Sequence, residues 1–170
     1  MISKKMEQAL NDQINKEMYS AYLYLAMSAD TTNKGLDGFA NWFMVQYQEE
    51  MEHATRIYNY INDQGGKVEL QAIEQPPTTF KDPLTMFKQT LEHEQFITKS
   101  INNLVDLAKK ENDHATEIFL QWFVTEQIEE EANDNEIIDK LEMVGNKGNG
   151  LYMIDRELGQ RSFVSELNEE

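Results

Sequence analysis

The sequence predicts an all-α protein: a four-helix bundle with one long crossover and a short fifth helix near the C-terminus. Three observations predict it. Four stretches keep apolar side chains three and four residues apart, the spacing of one helix face. The breaks between them fall at glycines, prolines and good capping residues. Two connections are short and the middle one is long. The 170 residues form one expected domain, 1–170, able to bury about two-thirds of its unfolded surface.

The first helix starts after Ser3, a good N-cap, and runs to about Thr32. Its face reads Leu10, Ile14, Glu17, Ala21, Tyr24, Ser28. The second runs from about Asp37 to Gln64 and stops at Gly65-Gly66, a C-terminal signal. Its face reads Phe39, Phe43, Gln46, Glu50, His53, Ile57, Tyr60. The third begins at Pro83, favoured at a first helical position, with Asp82 as cap, and ends near Lys110. Its face reads Leu84, Phe87, Leu91, Glu94, Thr98, Ile101, Val105. The fourth runs from about Asp113 to Val144, with Leu120, Phe123, Gln127, Glu130, Asp134, Ile137 and Leu141 on one face. Three glycines between Gly145 and Gly150 break it. An amphipathic piece, Leu151 to Leu158, gives a short helix at about 150–159, and a loose tail is expected over 165–170.

Loop length decides topology. The short connections make the first and second helices one antiparallel hairpin, and the third and fourth another. The middle connection, Gly66 to Asp82, spans up to roughly 55 Å when extended. A helix of this length is roughly 42 Å long. The loop can therefore cross the bundle and leave the second and third helices parallel.

Each seam is interrupted near its middle by a metal-capable side chain: Glu17, then Glu50 with His53, then Glu94, then Glu130. An unpaired charge in a core costs several kcal/mol. Four at similar depth imply a shared buried object that neutralises them. Carboxylate oxygens with one imidazole suit iron, manganese or zinc. Four carboxylates carry −4 and two divalent ions carry +4, so a carboxylate-bridged metal pair satisfies the core. A lone Glu-x-x-His would mean little; the constellation over four helices is specific.

The net charge of −16 disfavours nucleic acid and anionic membranes, which need a basic footprint, and favours cations. Ten acidic residues and no Lys or Arg lie between Glu111 and Asp139. The absence of cysteine excludes disulfides, thiolate zinc sites and iron–sulfur clusters. Met18 to Ala29 is the longest uncharged run and is too short for a membrane span. With no apolar leader in Met1 to Gln8, the expected location is the cytoplasm.

The chain resembles the ferritins, specifically the bacterial non-haem type, over about residues 4 to 160. The carrying stretches are Asn15 to Tyr24, Gln48 to His53, His93 to Gln95, Leu120 to Glu131 and Gly150 to Asp155. The resemblance implies that Glu17, Glu50 and His53 hold one iron. It implies that Glu50, Glu94 and Glu130 hold a second, with Gln127 near it. Glu49, Glu126, Glu129 and Glu130 would form a looser third site toward a cavity, giving two to three irons per subunit. Tyr24 would be a redox or hydrogen-bonding partner; read alone, it is equally a core tyrosine. The resemblance further implies Fe(II) with O2 or H2O2 as substrates, a hollow 24-mer, and a fifth helix near a fourfold axis.

Bacterioferritins and rubrerythrins carry a second Glu-x-x-His on the fourth helix. This chain has Gln127-Ile128-Glu129-Glu130 there. The expected second site is thus asymmetric and weaker, and no haem is expected despite Met51 at the position of a haem-ligating Met. The readings kept open are an iron-storage ferroxidase, a non-storing di-iron peroxidase or oxidase, and a non-catalytic scaffold. His93 and His114 are expected at the surface. Phe39, Trp42, Phe43 and Trp122 are expected in the core or at subunit contacts, and Glu117 near a channel.

Overall fold

The computed structural model describes residues 2–145, 148–165 and 167. Among these residues the chain forms helices only: α1 (Lys4–Asn33), α2 (Asp37–Asp63), α3 (Pro83–Glu111), α4 (His114–Val144) and α5 (Gly148–Leu158). Most of the expected loose tail, 166 and 168–170, lies outside the described residues, as do 146 and 147 of the glycine break.

The helix starts follow their caps. Ser3 Oγ accepts from the Met6 amide at 3.0 Å, Asp82 from Thr85 at 2.8 Å, and Asp113 from Thr116 at 3.1 Å. α3 ends at Asn112, whose φ of 56° is the left-handed turn that asparagine tolerates. α2 is the exception. Leu36 at its N-cap makes no side-chain capping hydrogen bond. Asp155 of α5 substitutes, accepting from the Gly38 and Phe39 amides at 2.9 and 3.1 Å. That contact requires glycine: a Cβ on Gly38 would lie 1.6 Å from the Asp155 carbonyl oxygen.

α1 pairs with α2, α3 pairs with α4, and α1 also packs on α3. The connection between α2 and α3 is irregular and runs along α1. Asn11 Nδ2 donates to the Lys67 carbonyl at 2.9 Å, and Asn11 Oδ1 accepts from the Glu69 amide at 2.7 Å. Asn15 holds the Ala72 carbonyl at 3.0 Å, and Lys34 holds that of Phe80 at 2.5 Å. From Asn11 to Lys34 is roughly 35 Å of helix. The loop therefore travels the bundle's length and leaves α2 and α3 parallel.

The apolar core comes in two clusters. One holds Met27, Phe39, Phe43, Phe87 and Leu141, with Ile154 and Leu158 of α5 docked against it. The other holds Leu10, Ile14, Ile57, Ile101, Leu120 and Phe123. Between them on every seam lies a buried polar layer: Glu17, Glu50, His53, Glu94, Gln127 and Glu130. Among the described residues no helix is long and apolar enough to cross a membrane.

Candidate metal centre

Glu17 on α1 and Glu50 and His53 on α2 each bring a ligand atom within 4.8 Å of the other two, and all three are buried. Glu50 and His53 are three apart, so one turn of α2 presents both. His53 Nδ1 lies 3.5 Å from Glu50 Oε2, an ion-pair distance without hydrogen-bond alignment. Glu17 is oriented from outside the group. Lys16 donates to Ser100 Oγ at 2.6 Å, Ser100 donates to Gln13 Oε1 at 2.6 Å, and Gln13 Nε2 donates to Glu17 Oε1 at 2.8 Å. Glu17 Oε2 and Glu50 Oε2 have no hydrogen-bond partner among the described residues. Buried carboxylate lone pairs in that state are suited to a cation, and oxygen with imidazole nitrogen suits iron, manganese or zinc.

Glu94 and Glu130 reach the same layer but stand outside that group of three. Each is held by neutral donors. Tyr24 donates its hydroxyl to Glu94 Oε1, and Gln127 Nε2 donates to Glu94 Oε2 at 3.0 Å. Gln46 Nε2 donates to Glu130 Oε2 at 2.9 Å.

Burial is the dominant influence on these groups, and it raises Glu17, Glu50, Glu94 and Glu130. Burial pushes the His53 imidazole down, but Glu50, Glu17 and Glu130 overcome it and hold His53 at about 10. Burial, then Glu94, raises Tyr24 well above the usual phenol range, so it remains a donor.

Asp134, one turn beyond Glu130, is fully buried, with neither carboxylate oxygen partnered among the described residues. Burial first, then Glu94 and Glu130, raises it to about 9. The seam places Asp134 inward, but no role attaches to it in the sequence.

Glu49, Glu126 and Glu129 line a separate cavity of about 120 Å³ that also touches His53 and Glu130. Burial raises Glu49 to about 7, with Arg161 pulling the other way. Arg161, from the segment after α5, ion-pairs with Glu49 at 2.7 Å. Sequence reasoning missed Arg161, since nothing in Gln160-Arg161-Ser162 links it to α2. His93 corrects an expectation. It is half-buried, its Nε2 lies 2.7 Å from Ser20 Oγ, and burial lowers its pKa to about 4. The cause is its place on α3 facing α1, where its ring meets Tyr19 at 5.7 Å. His114 is exposed, as expected.

A family model described as a ferritin-like domain matches residues 7–144. The chain belongs to the ferritin family. It is similar to a bacterial non-heme ferritin of Campylobacter jejuni, 47% identical over 92% of this chain and 93% of the relative. One of Staphylococcus aureus is 43% identical over 98% of this chain and 100% of the relative. Among solved structures, an engineered closed form of the Archaeoglobus fulgidus ferritin superposes with a TM-score of 0.95 at 47% identity, covering 96% of this chain and 100% of that one. A humanized archaeal ferritin gives 0.96 at 45% identity, covering 97% and 100%. As in those ferritins, the chain is all-α, a four-helix bundle with a short C-terminal helix.

Proposed function

We propose that this ferritin is an iron-storage ferroxidase. Two Fe(II) ions bind in the bundle, and dioxygen or hydrogen peroxide oxidises them. The Fe(III) then moves to the interior of a hollow homo-oligomer, expected to be a 24-mer in the cytoplasm, and mineralises. The observation that carries this reading is the buried Glu17/Glu50/His53 group, its ligand atoms within 4.8 Å of one another and its orphaned oxygens facing inward.

The chemistry is a two-metal oxidation. Two Fe(II) give up two electrons, which with two protons reduce dioxygen to hydrogen peroxide or hydrogen peroxide to water. Glu17, Glu50 and His53 hold the first iron. Glu50 bridges to the second, which Glu94 and Glu130 complete, with Gln127 beside it. Tyr24 orients Glu94 through its hydroxyl.

Hydrogen bonding accounts for unequal affinity. The first site offers Glu17 Oε2 and Glu50 Oε2, which give up no hydrogen bond when they bind. At the second site Glu94 already accepts from Tyr24 and Gln127, and Glu130 from Gln46, so these oxygens share their lone pairs with donors. Hydrogen bonds to charged groups are worth about 1.5–3 kcal/mol each. The second iron therefore binds more weakly, which suits a substrate that passes through. Glu49, Glu126 and Glu129, next to Glu130, take a third ion on the way inward. Haem has no part in this reading, because α4 lacks a second Glu-x-x-His.

Size-exclusion chromatography with metal analysis tests it. A particle of hundreds of kilodaltons that oxidises Fe(II) and loads iron far above two per chain is the expected outcome. A small oligomer that stops at two irons would make it a non-storing di-iron oxidase. A chain that takes up no iron would make it a scaffold.

A further inference from the structure

The inner cavity has a cation built into its wall. Arg161 lies three residues beyond α5, and its guanidinium is forked between two side chains of α2. One nitrogen donates to Gln46 Oε1 at 2.5 Å and the other to Glu49 Oε2 at 2.7 Å. The guanidinium sits over the Trp42 ring, 4.8 Å from its centroid. Asn41 fixes the backbone behind it, donating to the Leu158 and Arg161 carbonyls at 3.2 and 2.9 Å. Phe163 and Val164 continue along the same cavity. The planar fork and stacked face suit arginine, and a lysine there would keep the charge alone.

Gln46 links this cation to the buried centre. Its oxygen accepts from Arg161 while its nitrogen donates to Glu130. The guanidinium thereby fixes which end of the amide faces Glu130.

We propose that Arg161 is a resident counter-cation of the Glu49/Glu126/Glu129 pocket, and that an iron ion enters this pocket by displacing the guanidinium from Glu49. The inference rests on the third-site reading above. A metal ion and a guanidinium on one carboxylate repel each other, so each weakens the other's hold. Arg161 leaving Glu49 also releases Gln46, and with it the donor that holds Glu130. Filling the inner pocket and freeing a ligand of the second iron become one event. The same contacts offset part of the pocket's negative charge at Glu49.

The test uses assembled protein, Zn(II) as the probe, calorimetric titration for affinity, and anomalous diffraction from soaked crystals for position. Arg161→Met keeps an apolar stem on Trp42 and removes the charge. It is expected to tighten the weakest class of Zn(II) sites about tenfold, within the usual range of coupled binding, and to leave the tightest class unchanged. Arg161→Lys should stay near the unmodified protein, and Arg161→Met with Glu49→Gln should lose the gain. If the Met variant fails to assemble, Arg161→Gln carries the same prediction. Zinc in the pocket with equal affinity in the unmodified and Met proteins overturns the displacement and leaves the third site standing. No zinc in the pocket of the saturated Met variant overturns both.

Discussion

The bundle holds two groups of carboxylates that meet at Glu130, and it neutralises them by opposite means. In the core, amides and a phenol donate to Glu17 and Glu94, and the His53 imidazole lies 3.5 Å from Glu50. In the neighbouring pocket, Glu49 has a guanidinium at 2.7 Å, and Glu129 is exposed to solvent. The difference follows from burial. A fixed guanidinium in the core would compete permanently with metal, whereas protons leave as metal arrives. At the cavity edge, water shares the work of solvating charge, so a partly exposed arginine can serve as the partner. The core group should therefore control the speed of oxidation, and the cavity group what happens after it.

The sharpest way to break this comparison is to remove the nitrogen ligand. His53→Ala should slow the initial oxidation of Fe(II) by at least about tenfold, the lower end for loss of a metal-site group. Assembly should survive, because the substitution also removes a buried charge from a crowded polar layer. Stopped-flow absorbance on an assembled shell reads the result. Unchanged early kinetics would remove His53 from the first iron.

A smaller effect concerns Asp134, a core carboxylate that no donor among the described residues neutralises. Its folded pKa is raised to about 9 from the 3.8 of an unburied aspartate. Between those values the folded chain holds a proton that the unfolded chain has lost. Stability therefore falls as pH rises through that window. Asp134→Asn should flatten the fall in metal-free protein and raise the midpoint at pH 8 by about 3 °C or more, roughly the effect of 1 kcal/mol in a chain of this size. Thermal melts from pH 5 to 9 measure it. Parallel pH profiles for the two proteins would mean that Asp134 is solvated after all.

Much of this was legible because helices write their faces at a fixed period. Glu17, Glu50 and His53 fall on apolar seams, and folding those seams together brings them within 4.8 Å. Ser3, Asp82 and Asp113 cap the helices they precede, because capping is local. What stayed hidden joins residues far apart in the chain. Asp155 caps α2 across 117 residues, and only the structure shows why Gly38 must lack a side chain. Arg161 reaches Glu49 across 112 residues with no periodic signal. Hydrogen-bond partners were equally unreadable: a seam places Gln46 inward but cannot say that it spans Glu130 and Arg161.

The smallest expected effect is at Glu129, and it sharpens the comparison most finely. Glu129 lies three residues after Glu126 and beside Glu130, so α4 turns from the cavity to the core within one step. Glu130 is buried and holds Gln46, while Glu129 is exposed on the cavity wall. Removing Glu129 should leave the four core carboxylates and His53 as they are. Glu129→Ala is therefore expected to keep the first burst of oxidation within about twofold, since surface substitutions rarely disturb a packed site. The change should come later, in the iron consumed per oxidant and in the rate of a second addition, because the proposed third site would lose an oxygen. Oxygen-electrode stoichiometry with repeated Fe(II) additions separates the phases. Loss of the burst itself would place Glu129 among the core ligands and dissolve the boundary drawn between the two groups.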